Sequence, residues 1–423
     1  MSKPKDGVSD IPLLDPPLLD RADVRVKHAT GIGGAFEAFI TRVKSGDLGF
    51  LPVIIGLLII CTVFQILNPV FLSSSNLANL LFDSSTIGVI SLGIVCVLMV
   101  AQIDLSVGSV SGFASALVGT LWVNLGWPVP LAIIAALIIG ALIGAAYAFL
   151  FNWLGMPSFV STLSGLLAFL GLQLYILRST GSINLPFGSP LVSFGQLLTV
   201  PSWLAYALVA LAAVGVFVTN YRTEQRRKAS GLSTQPMVSV AIKALAIFIG
   251  LEFIVFYLNQ TRGVPWIFGL FVVLVVAMNY ALKQTQWGRS LTAVGGNPEA
   301  ARRSGINVRR IYMSAFMICS TLAALGGILA AARLASASQQ AGTGDVNLNA
   351  IAAAVIGGTS LFGGRGSAYS ALLGIIVIQA ISSGLTLLDL SSSLRYMITG
   401  AVLAIAVIVD SLSRRSRMSS GRA

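Results

Sequence analysis

The feature that most constrains this chain is a run of apolar residues about as long as a bilayer is thick, repeated along its length. A helix needs about 20 apolar residues to cross the hydrocarbon core. Twelve segments fit: 50–68, 78–101, 105–123, 128–151, 158–178, 203–221, 238–258, 265–282, 311–333, 346–361, 368–387 and 395–412. The tenth is short for a full crossing and reads as tilted, broken or buried within the bundle. Charge agrees with this reading. Only 10% of the 423 residues are charged, against about 25% in a soluble domain, too few to coat a water-facing surface. Lipid offers the backbone no hydrogen bonds, and a helix satisfies its own. The expected fold is an all-α membrane protein, a polytopic helical bundle of about 12 transmembrane helices.

The net charge of +12 is not a nucleic-acid footprint, because the basic residues cluster between apolar runs. One cluster holds Arg222, Arg226, Arg227, Lys228 and Lys243; a second holds Lys283, Arg289, Arg302, Arg303, Arg309 and Arg310; a third holds Arg414, Arg415 and Arg417. Six spans precede the first cluster, two separate the first from the second, and four separate the second from the third. Every number is even, so all three clusters and both termini fall on the cytoplasmic side. The loop 179–202 falls on the other side and contains no Lys or Arg. Three domains follow: a polar cytosolic tail over 1–48, a transmembrane domain over 49–413 and a basic tail over 414–423. In the first tail Phe36, Phe39, Ile40 and Val43 recur at helical spacing, which suits a short amphipathic helix lying on membrane lipid.

The residue inventory excludes several chemistries. Cys61, Cys96 and Cys319 all lie in apolar runs and read as packing residues. His28 is the single histidine, so neither a His-rich metal site nor a Ser-His-Asp triad is expected. No GxxxxGK[ST] occurs, so the chain carries no nucleotide-binding P-loop. The expectation is no catalytic residue, no metal and no cofactor in this chain. Charges within apolar runs are costly and draw functional suspicion. Asp83, Arg333, Asp345, Asp389 and Asp410 sit near span ends, while Glu252 looks deeper. No pair of buried carboxylates suggests a proton relay.

Two polar, glycine-containing stretches stand out. QIDLSVGS (102–109) places Gln102, Asp104, Ser106, Gly108 and Ser109 between the second and third spans. It reads either as a cap for the next helix or as a hinge or gate. GGTSLFGGRGS (357–367), with Gly357, Gly358, Gly363 and Gly364, has a similar flavour, LSVGS against SLFGG, and suggests the trace of an internal repeat. A path for a neutral polyhydroxylated solute needs hydroxyls and amides rather than fixed charge. Candidates are Ser84, Ser85 and Thr86 in the second span, Ser161, Thr162 and Ser164 in the fifth, and Gln379, Ser382 and Ser383 in the eleventh. The plainer reading of each is an ordinary hydrogen bond within the bundle.

The stretch GGNPEAARRSGINVRR (295–310) carries charge where the chain has least use for it. Asn297 suits an N-cap, Pro298 and Glu299 suit the first turn, Arg302 and Arg303 suit the last, and Gly305 suits the stop. The expected product is a two-turn cytosolic helix with an exposed Ala300–Ala301 face, fit for docking a soluble partner.

Gly295, Gly296, Asn297, Pro298, Glu299, Ala300, Ala301, Arg302, Arg303, Ser304, Gly305 and Ile306 resemble the EAA-type coupling loop of ABC importer membrane subunits. With IDLSVGS before it and AGTGDVNLNAIAAAVIGGTSLFGGRGS after it, the chain resembles the sugar-type ABC permeases of ribose and xylose transporters over roughly 50–412. The extra helix pair and basic loop at 203–262, added to a ten-helix core, and the RGVP element (262–265) are closer to the xylose type. The resemblance implies a subunit in a bacterial cytoplasmic (inner) membrane, paired with a second permease copy as a homodimer. It further implies a cytosolic ATPase that binds ATP and Mg and docks on 288–310, and a periplasmic or extracellular sugar-binding protein that delivers a pentose. Two alternatives weigh against it: a secondary transporter, which would want ion-coupling residues in its spans, and an intramembrane enzyme, which would want a catalytic pair.

Overall fold

A computed structural model describes residues 50–230, 237–391, 393–394, 397–401, 404 and 408. The N-terminal tail with its amphipathic segment, most of the twelfth apolar segment and the basic C-terminal tail lie outside the described residues. The chain divides into two compact units, one containing Ser202–Phe256 and the other containing Gly49–Pro201 with Tyr257–Ala423.

The larger unit begins with α1 (Leu51–Leu67), α2 (Ser74–Met99), α3 (Val107–Gly119), α4 (Val129–Leu154) and α5 (Ser158–Leu177). A π-helical turn over Thr120–Asn124 extends α3. A short strand β1 (Ser182–Asn184) and helix α6 (Pro190–Gln196) follow. After the smaller unit come α9 (Trp266–Gln284), α10 (Gln286–Gly296), α11 (Pro298–Arg303), α12 (Val308–Leu334), β2 (Ser336–Ser338), α13 (Val346–Ile356) and α14 (Ala368–Leu387). The smaller unit consists of α7 (Ser202–Ala229) and most of α8 (Met237–Leu258). Among the described residues nine helices are long and apolar enough to cross a membrane, while α1 and α13 are shorter apolar helices. The chain is therefore an all-α polytopic membrane protein, with one two-stranded ribbon added.

Three local differences from the sequence reading have clear causes. The basic residues Arg222, Arg226, Arg227 and Lys228 lie on the last turns of α7 rather than in a loop, where they complement the negative end of the helix dipole. The loop 179–202 is built rather than open: β1 pairs antiparallel with β2, Ile183 opposite Ala337, and α6 packs on the end of α12. The tenth apolar segment forms only α13, an 11-residue helix.

α12 is the axis of the larger unit and packs against α2, α3 and α4. Small residues let the backbones close up, since apolar side chains gain nothing by leaving lipid. A Cβ at Gly144 on α4 would overlap the Phe316 carbonyl, and one at Gly327 on α12 would overlap the Ser111 carbonyl on α3. Phe316, Cys319, Ala323 and Ala324 on α12 are fully buried.

The same local plan occurs twice. α2 ends at Ala101 in the left-handed conformation (φ 57°), a short irregular segment follows, and α3 begins. α12 ends at Ala335, also left-handed (φ 50°), the extended β2 segment follows, and α13 begins. The first irregular segment doubles back into the bundle: Asp104 is 1% exposed and its carboxylate lies near Cys319, which sits level with Gly93 on α2. Cys319 is 11 residues from the start of α12, about 16 Å along its axis. The two short helices therefore begin inside the bundle, first turn against first turn. Gly108 N–H donates to Asn347 Oδ1, and a Cβ at either Gly108 or Gly342 would meet the other's backbone oxygen.

Candidate functional site

Three groups of residues emerge: a short capped helix, a glycine junction beside it, and a polar cleft at the opposite end of α2.

The short capped helix is α11, the candidate for docking a partner. Asn297 Oδ1 accepts from Glu299 N–H and Ala300 N–H, each at 3.0 Å. Pro298 occupies the first position, which needs no donor. At the other end Gly305 is left-handed (φ 82°), its N–H donates to Arg302 O, and Ile306 N–H donates to Ala301 O. That pair of bonds is a Schellman stop. Glu299 and Arg302 form an exposed ion pair at 3.1 Å. The expected Ala300–Ala301 face is divided: Ala300 is exposed, but Ala301 is 4% exposed and joins the core, with Ile306 packed beside it. Six residues are too few to stand alone, so one face must be anchored. The sequence reading also missed α10, an amphipathic helix capped by Thr285 that buries Leu291 and Val294 and leads straight into α11.

The junction lies where α10 ends. A Cβ at Gly295 would overlap the Met99 carbonyl at the end of α2 and crowd the Gly364 nitrogen. Gly364 N–H donates to that same Met99 carbonyl at 2.9 Å, and Gly363 is packed against Ala101 and the Gly295 carbonyl. The two polar, glycine-containing stretches are thus brought together with the 295–306 segment through Met99–Ala101. They are not structural equivalents. Gly108 opens α3 inside the bundle, whereas Gly363 and Gly364 sit in a left-handed loop at the α10 end. The shared local plan instead lies at α2–α3 and α12–α13, each with a left-handed Ala, an irregular segment and a shorter helix. Gly357 is buried against the Ser370 carbonyl, and Gly358 holds a φ of 99°.

Within the first stretch Asp104 is 1% exposed, and its Oδ1 accepts from Ser106 N–H (2.8 Å) and Ser106 Oγ–H (2.7 Å). Ser109 Oγ–H donates to Ser106 O, and Gln102 lies half-buried at the turn. Leu105 N–H donates to Thr162 Oγ1 on α5 at 3.2 Å, so Thr162 holds this segment. Most of the other proposed path residues bond their own helices. Ser85 donates to Leu81 O, Thr86 to Asp83 O, Ser161 to Pro157 O and Ser164 to Val160 O. Ser84 is fully buried with an unpaired hydroxyl.

The polar cleft, of about 180 Å³, opens between the first half of α2 and the second half of α14. α2 contributes Asn76, Asn79 and Asp83; α14 contributes Gln379, Ser382, Ser383 and Thr386. Asp83 Oδ1 accepts from Arg333 Nε at 2.9 Å. Arg262, the first residue of the RGVP element, donates to Asn79 Oδ1 (2.8 Å) and Gln196 O (2.7 Å). The Arg333 and Arg262 guanidiniums lie 4.8 Å and 5.0 Å from the buried Phe82 ring. Two costly cations are thus held by a ring and by polar partners. The sequence reading singled out Gln379, Ser382 and Ser383 but not Asn76 or Asn79. A lone Asn every third or fourth residue near a helix start looks like capping until a second helix faces it. Glu252 lies half-exposed on α8 in the smaller unit. Among the described residues no group of His, Cys, Asp and Glu is placed to hold a metal.

A multi-pass bundle of apolar helices defines a membrane protein. The family described as "Branched-chain amino acid transport system / permease component" matches residues 76–407, and the chain belongs to it. The xylose transport system permease protein of Escherichia coli (strain K12) is 34% identical over 391 residues, covering 92% of this chain and 98% of that one. Its counterpart from Haemophilus influenzae is 30% identical over 88% of this chain and 99% of its own length. The ribose import permease protein of Escherichia coli (strain K12) is 30% identical over 84% and 92%. No solved structure matches the chain. The protein is a multi-pass ABC transporter permease, a transport component rather than an enzyme, and its family works with an ATPase subunit and a substrate-binding protein.

Proposed function

We propose that this chain is the membrane-spanning permease subunit of an ATP-driven importer for a monosaccharide, xylose or a similar pentose. Two copies form the pore in a bacterial inner membrane, among its lipids. The cytosolic ATPase carries the ATP and Mg and docks on α10–α11, and a sugar-binding protein delivers substrate from outside. The observation that carries this reading is α11 itself. It is a separate helix with its own cap and stop, exposed ions on one face and Ala301 locked into the core on the other. A push on that helix passes through Gly295 to Met99 and Gly364, where backbones touch and nothing soft intervenes.

The mechanism asks nothing covalent of this chain. Its contribution is to hold two arrangements whose balance the ATPase shifts, as any coupling between distant sites requires. Reconstitution with its ATPase and binding protein tests the proposal. ATP-dependent uptake of labelled xylose is expected, and Glu299→Lys or Gly305→Pro abolishes it while membrane insertion stays normal. Full ATP-dependent uptake in both variants, or uptake of no sugar by the wild type, overturns it.

A further inference from the structure

We propose that the cleft between α2 and α14 is a waiting site for one neutral sugar, reached from the side opposite the docking helix. The inference rests on the importer reading above and names a site for its substrate. α2 runs from the cleft at its start to Met99, which touches the docking segment, so the cleft lies at the far end of the same helix. Its volume of about 180 Å³ is on the scale of a single sugar ring.

The hydrogen-bonding groups left over define the chemistry. Asn79 spends its oxygen on Arg262 and keeps its NH₂. Asp83 has one oxygen on Arg333, and the other has no protein partner among the described residues. The Gln379 amide and the Ser382 hydroxyl line the cleft with no protein partner among the described residues. Together these present donors and acceptors in one small space, which suits hydroxyl groups that both donate and accept. The one carboxylate in the cleft is paired with Arg333, and Arg262 beside it spends two of its donors on the neutral oxygens of Asn79 and Gln196. One helical turn further in, the same faces carry Ile87 and Ile376, both partly buried. A sugar halted above them keeps its polar partners and stops where apolar side chains begin.

The test places a cysteine at the cleft. Ser382→Cys is combined with Cys61→Ser, because Cys61 is partly exposed on α1 while Cys96 and Cys319 are buried. Right-side-out vesicles with the whole transporter are treated with a small impermeant methanethiosulfonate. Labelling slowed several-fold by millimolar xylose, and not by leucine, is the expected result. No labelling, labelling that no solute slows, or protection by leucine instead of xylose each overturns the site. In parallel, Gln379→Leu is expected to cut uptake several-fold at saturating binding protein, with Gln379→Asn recovering part of it. Wild-type pentose uptake in the same vesicles separates the two ideas. If the wild type transports and the thiol introduced by Ser382→Cys goes unprotected, the cleft fails and the importer reading stands. If the wild type moves no sugar, the importer reading fails first.

Discussion

Single side chains decide two things here: where α11 starts, and how Asp83 tolerates its position. Asn297 accepts two backbone bonds, and an N-cap of this kind is worth about 1 kcal/mol. Asn297→Ala should leave membrane insertion intact, reduce ATP-driven uptake and speed proteolysis at 298–303; Asn297→Asp, which also caps, should restore most of both. Asp83 and Arg333 are a part-buried pair at 2.9 Å, with side-chain exposures of 47% and 21%. Removing one partner strands the other, at a cost of about 1–3 kcal/mol. Arg333→Met alone should therefore lower the melting temperature in detergent more than Asp83→Leu with Arg333→Met together. The cap was legible in the sequence because an N-cap is a local signal. The ion pair was not, because its members are 250 positions apart and only the approach of α2 to α12 joins them.

At the scale of elements, the distinctive feature is two short helices that meet by their first turns inside the bundle. Non-helical backbone at that depth survives only if other parts of the protein satisfy it. Gln173 on α5 does so for β2 and its turn, its Nε2 donating to Ser338 O (2.8 Å) and Ala341 O (2.9 Å). Gln173→Leu should cost about 1–3 kcal/mol by orphaning those carbonyls, read as a lower melting temperature. Gly108→Ala should be worse, because the methyl meets the Gly342 carbonyl and the backbone has no slack; no folded protein is expected in the membrane fraction. Ala335→Gly should act in the opposite sense. Ala335 holds a φ of 50°, where Ala pays about 1 kcal/mol that Gly avoids, so the variant should melt no lower than the wild type. Segment 346–361 is short for a crossing, which in the sequence suits a tilted, broken or buried span. That α3 meets α13 is not legible there, because α3 with its π turn still reads as a full apolar run.

For the whole molecule, charge placement predicts which parts of the chain face the cytosol. Cysteines replacing Thr223 and Glu299 should react only with reagents on the cytosolic side, and one replacing Phe187 only from outside; Glu299 and Phe187 labelled from the same side would overturn the topology. Length, apolar runs and the spread of Lys and Arg were enough to establish an all-α polytopic protein, since bilayer thickness and the cost of burying charge act on any stretch of chain regardless of its neighbours. The short helix α11 was equally legible, because capping, dipole and stop signals all lie within ten residues. What only the tertiary structure decided was which distant stretches meet: Gly295 with Met99 and Gly364, Gly108 with Gly342, Asn79 and Asp83 across from Gln379 and Ser382. In the apolar part of a membrane bundle the hydrophobic pattern does not say which face of a helix turns inward, because lipid and protein interior are equally apolar. That choice rests on glycine contacts and paired polar groups, and these acquire meaning only once both partners are in place.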